Sequence, residues 1–277
     1  MKSMYCCKNK VFIAVIGLFS LIAMPAWVYA EDVNKTVVSA EERGLEIATE
    51  ADQRDWGFGD YRVKLEMTLR NKHKQQTSRN MRNTTREQPN DGDKTLIVFD
   101  NPRDVKGTAF LSHTHKVGND DQWLFLPALK RVKRISSSNK SGPFMGSEFA
   151  YEDISSQELE KYTYHYAGDE TFDGREHFMV ERFPSNVKSG YYRQMVWYDK
   201  AEFRIWKIDF YDRKNELLKT LIYNDYKQYL GKYWRANLMD MVNHQTGKST
   251  TLLFSDYTFD IGTSDMDFTS SRLKRAR

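Results

Sequence analysis

The chain has 277 residues, of which 42 are Lys or Arg and 38 are Asp or Glu. Its first 30 residues hold three of the lysines, no acidic residue and both cysteines, so the remainder carries 39 basic against 38 acidic residues. This near-neutral balance gives no reason to expect nucleic-acid binding. The absence of cysteine after residue 30 excludes disulfides and thiolate metal sites from that part of the chain.

The N-terminal 30 residues have the pattern of a cleavable signal peptide. Lys2, Lys8 and Lys10 precede an apolar run over residues 11–24, and Val28-Tyr29-Ala30 offers small residues where a signal peptidase reads the chain. The run is shorter than the ~20 apolar residues that a membrane span needs. We therefore expect residues 1–30 to be removed and residues 31–277 to form a single domain in the periplasm.

The next residues predict one helix followed by a long strand. Residues 39–42 have the capping-box pattern, in which a serine and a glutamate side chain satisfy free amides of the first helical turn. Apolar residues at helical spacing extend this helix to about Arg54. Over residues 61–70 apolar and polar residues alternate, as in a strand with one buried face. We expect that face to be lined by Val63, Leu65, Met67 and Leu69, with Lys64, Glu66 and Arg70 pointing outward.

Most of the remaining chain repeats a strand-and-turn pattern. The candidate strands cover residues 78–86, 94–99, 107–113, 122–126, 131–135, 149–154, 162–166, 175–183, 192–198, 204–211, 217–226, 233–242 and 250–257. Helical material is limited to residues 39–54, a turn around 156–161 and the C-terminal 268–275. The sequence thus predicts a mainly β fold, with one large antiparallel sheet forming an unclosed barrel and few helices.

A sheet of this size needs a cover on its apolar face. A second sheet, the helices or a ligand could each provide it. The predicted helices are too short to fill a wide barrel, so we expect a concave apolar cavity that they plug in part. The candidate cavity residues are Val63, Leu65, Met67, Leu69, Leu111, Trp123, Phe125, Phe149 and Tyr151.

Three blocks of the sequence resemble a known family. They are residues 101–111 (NPRDVKGTAFL), 122–135 (QWLFLPALKRVKRI) and 142–153 (GPFMGSEFAYED), preceded by the turn at residues 57–60. Together they resemble the LolA-like outer-membrane lipoprotein-sorting family. The resemblance implies an unclosed antiparallel barrel with helices on its concave side, a cavity for acyl chains and a periplasmic carrier role. Members of this branch are similar to proteins encoded beside RND-type (MMPL-like) exporters.

The resemblance leaves two functions open, because carriers, lipid sensors and export accessories share this architecture. The first is a carrier that binds a lipid or lipoprotein acyl chain and transfers it between membrane components. The second is a non-enzymatic accessory or sensor subunit of an RND-type exporter without a cargo. In both cases we expect an inner-membrane RND/MMPL-type exporter as partner, transient membrane contact, a monomeric chain and no cofactor.

Catalytic and metal-binding chemistry have little support in the sequence. His113 and His115 would lie on one face of a strand near Asp120 and Asp121, but two imidazoles alone do not make a metal site, and hydrogen-bonding surface histidines are the alternative. The chain has no nucleophile elbow and no glycine-rich phosphate loop. Adjacent carboxylates at residues 152 and 153 would point to opposite faces of a predicted strand. We expect no metal and no enzymatic activity.

Basic residues at 130, 131, 133 and 134, and again near the C-terminus, have two interpretations. They form either a solvated face or a contact with anionic lipid headgroups or an acidic partner.

The segment over residues 136–147 contains two large apolar side chains in a turn-rich context, Gly142-Pro143-Phe144-Met145. Phe144 and Met145 could fold back and cap the core, form a mobile lid at the cavity mouth, or present an apolar hook to a partner. The sequence does not choose among these three interpretations.

Overall fold

The computed structural model describes residues 38–275, so the predicted signal peptide lies outside the described residues. The first element is helix α1 (Ala40–Asp55). At its start the Ser39 hydroxyl accepts a hydrogen bond from the Glu42 amide, and the Glu42 carboxylate accepts one from the Ser39 amide. The predicted capping box is therefore confirmed.

The described residues after α1 form one sheet of 13 antiparallel strands. The strands are β1 (Asp60–Arg70), β2 (Gln76–Arg86), β3 (Lys94–Asn101), β4 (Ala109–His113), β5 (Asp121–Leu126), β6 (Arg131–Ile135), β7 (Tyr162–Phe172), β8 (Arg175–Pro184), β9 (Tyr191–Asp199), β10 (Ile205–Asp212), β11 (Leu217–Tyr229), β12 (Tyr233–Asn243) and β13 (Ser249–Phe259). Two one-turn helices, α2 (Tyr151–Ile154) and α3 (Ser270–Leu273), and 3-10 turns at Pro127–Leu129, Phe144–Gly146, Leu159–Lys161 and Asp265–Phe268 complete the fold.

The order of the strands shows that the sheet is an unclosed barrel. It runs β6-β5-β4-β3-β2-β1-β13-β12-β11-β10-β9-β8-β7, so β6 and β7 are its two edges. Ile135 of β6 and Tyr164 of β7 nevertheless belong to the same buried cluster, to which every strand contributes. A flat sheet of this many strands would be roughly 58 Å wide. The edges can share a core only because the sheet curls, and the predicted fold class is confirmed.

The first strand lies in the middle of the sheet, between β2 and β13. Val63, Leu65 and Met67 are buried in the inner core, and the alternating Lys64 and Glu66 are exposed. The predicted alternation is confirmed over this stretch. At the end of the strand Leu69 is half-buried, as is Arg70, whose guanidinium donates a hydrogen bond to the Thr251 hydroxyl at 2.7 Å.

The connection between the two edge strands, residues 136–161, enters the barrel. The predicted strand over 149–154 is wrong, because residues 151–154 form helix α2. Tyr151 and Ile154 both pack against the inner core, a spacing that a helical turn satisfies and a strand does not. Glu152 and Asp153 are therefore not on opposite faces of a strand. Each bonds to a loop or strand of the barrel wall.

A smaller apolar cluster lies on the outer face of β3, β4 and β5. It contains Val98, Ala109 and Leu111, which alternate along their strands with residues of the inner core. Phe268 and Leu273 of the C-terminal segment complete it, so this segment covers the outside of the sheet. The predicted C-terminal helix is present as the Asp265–Phe268 turn followed by α3. None of the described helices has the length and apolarity to cross a bilayer.

Candidate functional site

A cavity of about 700 Å³ lies between helix α1 and the inner face of the barrel. Its volume is in the range of small-molecule binding sites. Ala48 and Ala51 of α1 form one wall. The opposite wall consists mainly of aromatic side chains from the long strands: Tyr61, Tyr164, Tyr198, Tyr223, Tyr226, Trp234, Phe254 and Tyr257.

Helix α1 is held over this cavity by a close backbone contact. A Cβ atom at Gly44 would lie 2.9 Å from the backbone nitrogen of Tyr166 and 3.0 Å from that of His165, so only glycine lets the helix lie this near to β7. Near the other end of the helix, the Arg54 guanidinium lies 4.7 Å from the centre of the Phe203 ring. The position of the helix is thus fixed at both ends.

One part of the cavity wall is acidic. Asp93 lies there with Glu87, Glu158 and Asp55, and Asp55 forms an ion pair with Arg235. Burial, together with repulsion by the neighbouring carboxylates, raises the pKa of Asp93 to about 8. The cavity is therefore not uniformly apolar.

Another part of the wall holds a buried cation. Arg182 of β8 is 4% exposed. Its Nε donates a hydrogen bond to Oε1 of Gln194 at 2.6 Å, and its guanidinium lies 4.6 Å from the centre of the Tyr162 ring. Within residues 38–275 it has no carboxylate partner.

Comparison with solved structures identifies the family. A Vibrio parahaemolyticus structure, provisionally named an outer membrane lipoprotein-sorting protein domain, is 57% identical and superimposes with a TM-score of 0.84. It matches over 85% of this chain and 100% of its own length. The chain belongs to the outer membrane lipoprotein-sorting protein family.

Other comparisons agree with this assignment. A DUF1329 family protein from Desulfovibrio piger is 30% identical over 85% of this chain and 99% of its own, with a TM-score of 0.80. A LolA superfamily protein from Nitrosomonas europaea shares the fold at 20% identity, with 83% and 98% of the two chains covered and a TM-score of 0.68. A family model described as an uncharacterised protein matches residues 91–275. No curated protein sequence matches the chain.

The nine predicted cavity residues do not line the main cavity of this LolA-like fold. Six belong to the inner core or pack against it: Val63, Leu65, Met67, Leu69, Phe149 and Tyr151. The other three, Leu111, Trp123 and Phe125, lie in the outer cluster beneath the C-terminal segment. A period of two shows that a strand has two different faces, but it does not show which face is concave.

The segment with Phe144 is folded into the barrel. The Phe144 side chain is fully buried, with its ring centre 5.2 Å from that of Phe110, 5.5 Å from Tyr151 and 6.1 Å from Phe99. Met145 is half-buried, and before this segment Gly142 lies in a bend and Pro143 forms an isolated antiparallel bridge with Ala150. This arrangement is the one that the core-capping interpretation expects. Opening of the segment as a lid or hook stays a prediction.

The two histidines considered for metal binding have separate partners. His113 Nε2 lies 2.7 Å from the backbone carbonyl of Phe268, whereas His115 Nδ1 lies 2.6 Å from an Asp91 carboxylate oxygen. The hydrogen bond to Asp91 raises the pKa of His115, while burial lowers that of His113. Among the described residues no three His, Cys, Asp or Glu side chains are grouped as metal ligands.

Sequence reasoning missed the cavity residues that carry charge. Arg182 follows Phe178 and Val180 at a spacing of two, so a charged residue occupies the inward-facing series of a strand. A charged residue at an inward-facing position of a strand is the sequence signal that could have identified Arg182 as a cavity residue. The aromatic residues of strands β9 and β11 were recognised as strand residues but not as cavity walls.

Proposed function

We propose that this protein is a periplasmic carrier that binds an acyl chain of a lipid or lipoprotein in the cavity beneath α1. The observation that carries the proposal is the cavity of about 700 Å³ with its wall of aromatic side chains. The name of the 57% identical relative, which refers to lipoprotein sorting, supports the same class of ligand. Residues 1–30 act as the export signal in this proposal, and residues 31–277 act as one carrier domain.

Binding of this kind needs no covalent chemistry. Each methylene group that moves from water into an apolar site contributes ~0.8 kcal/mol, so even part of an acyl chain is held firmly. Release then requires an acceptor with comparable affinity. We infer that the acceptor or donor is a membrane protein, and an RND-type exporter fits this role.

Lipid analysis of the protein, isolated from the periplasm without detergent, tests the proposal. We expect native mass spectrometry to show a bound lipid on the wild type. Met239→Asp, which puts a charge into the cavity wall, should lose that lipid because burying an unpaired carboxylate is costly. Leu253→Asp on β13 is the matched control, because Leu253 is exposed and outside the cavity. A wild type free of lipid, even after incubation with membranes, would contradict the carrier function.

The acidic part of the wall favours the second candidate, an accessory or sensor subunit of an RND-type exporter. An acyl chain next to Asp93, Glu87 and Glu158 would remove water from these carboxylates without replacing their hydrogen bonds. For a docking subunit the cavity can stay hydrated. This function predicts a lipid-free protein that still co-purifies with the exporter. A carrier, in contrast, should lose its cargo when its cavity is altered, and its association with the exporter should be lost with the cargo.

A further inference from the structure

The environment of Arg182 differs from that of the other cavity arginines. Arg235 is paired with Asp55, and Arg204 is paired with Asp199 at 2.7 Å. Arg182 is more deeply buried than a surface arginine, yet the titratable side chains nearest to it among the described residues are tyrosines, which are neutral at neutral pH. Among the described residues only its Nε has a hydrogen-bond partner, Gln194, so both terminal nitrogens, Nη1 and Nη2, remain free to donate there.

A buried guanidinium normally has an anionic partner, because removal of its hydration shell is costly. The nearby carboxylates do not supply one. Glu181, the preceding residue, forms its ion pair with Arg193 at 2.9 Å. Asp52 and Glu158 line the same cavity without an ion pair to Arg182. The arginine is thus a cation whose partner is missing from residues 38–275.

Two hydroxyl groups in the cavity wall can add to an anion site at this position. Tyr198 and Tyr223 lie near Arg182 and line the cavity, and neither hydroxyl has a hydrogen-bond partner among the described residues. Burial raises the pKa of both phenols. They are therefore protonated at neutral pH and can donate hydrogen bonds to an oxyanion.

We propose that Arg182, Tyr198 and Tyr223 bind the oxyanion headgroup of a single-chain anionic lipid whose acyl chain occupies the rest of the cavity. A guanidinium with two free terminal nitrogens matches the geometry of a carboxylate or a phosphate. The headgroup supplies the missing counter-ion, and the aromatic wall contacts the chain. This inference rests on the proposed acyl-chain binding and adds the class of ligand.

The first experiment compares ligands on the wild-type protein by isothermal titration calorimetry. The probes are palmitate, methyl palmitate and a monoacyl phosphate with the same chain. We expect at least one anionic probe to bind about tenfold to a hundredfold more tightly than methyl palmitate, in line with charge-assisted hydrogen bonds. The preferred anion identifies the headgroup as carboxylate or phosphate. Equal affinity for all three probes would overturn the anion site but leave acyl-chain binding intact, whereas no binding of any probe would overturn both proposals.

Variants then assign the selectivity to the site. Arg182→Gln should bind methyl palmitate like the wild type and lose the preference for the anion. Tyr198→Phe combined with Tyr223→Phe should weaken the preference without removing it. Arg193→Gln is the matched control outside the cavity, because Arg193 already has Glu181 as partner.

A melting curve of ligand-free Arg182→Gln gives a second readout. Because the substitution removes a buried charge that has no counter-ion among the described residues, we expect the melting temperature of the variant to be no lower than that of the wild type. Anion preference retained by a folded Arg182→Gln would overturn the assignment. If this variant does not fold, the same comparison with Tyr198→Phe/Tyr223→Phe decides, and an unchanged preference in that double variant overturns the proposal.

Discussion

Replacing Phe144 with Ala should destabilise the fold far more than replacing its neighbour Met145. The Phe144 ring is fully buried among Phe99, Phe110 and Tyr151. Truncation of a buried Phe costs about 3–5 kcal/mol, and one kcal/mol shifts the melting temperature of a domain of this size by about 2–4 °C. We therefore expect the melting temperature to fall by about 6–20 °C.

Thermal unfolding followed by circular dichroism measures this effect, with Met145→Ala as the control. Bound lipid is measured on the same samples, well below the melting temperature of each variant. If Phe144 caps the core, Phe144→Ala should keep its lipid at low temperature. Loss of lipid at an unchanged melting temperature would refute the packing argument and favour a lid, while loss of exporter binding alone would favour a hook.

Three further predictions concern an ion pair, a carboxyl group and a glycine. Lys219→Met leaves the buried Asp153 without its cation and should lower the free energy of unfolding, measured by denaturant titration, by about 3–5 kcal/mol. If the two side chains are coupled, adding Asp153→Asn to this variant should restore part of the lost stability. The pKa of Asp93 is raised to about 8 from 3.8, so the unfolded chain loses this proton first and stability should fall from about pH 4 to pH 8. Asp93→Asn should flatten that fall in melting curves, and parallel curves for both proteins would contradict it. Gly44→Ala puts a methyl group 2.9 Å from the Tyr166 backbone nitrogen. The amides of α1 should therefore undergo faster hydrogen exchange, despite the better helix propensity of Ala. Slower hydrogen exchange would show that the contact is not tight.

The sequence predicted the strands well because their residues alternate along most of their length. Strand β6 begins and ends at the predicted residues, and β8 extends the prediction by only one residue. The start of α1 was equally clear, since the capping pair of Ser39 and Glu42 is a local signal. Consecutive strands pair with each other except β6 and β7, which are the edges, and β1 also pairs with β13.

The cavity was harder to predict, because it depends on how the sheet curls. Alternation placed Leu111 on the same face of its strand as Ala109 but did not show that this face is covered by the C-terminal segment. Helix α2 was missed because its four residues leave no periodic signal that differs from a short strand. The proposed role of Arg182 depends on the absence of a carboxylate partner among residues 38–275, which only three-dimensional distances reveal.

The two unpaired edges of the sheet, β6 and β7, also affect whether copies of this protein associate with each other at high concentration. A sheet edge offers unpaired backbone groups to which another chain can add a strand. At the β6 edge Arg131, Lys133 and Arg134 are exposed within five residues. Two such edges approaching each other would bring like charges together, since lysine and arginine on an edge strand oppose self-association. The basic residues of β6 therefore oppose pairing between the β6 edges of two copies, whether or not they also contact a membrane.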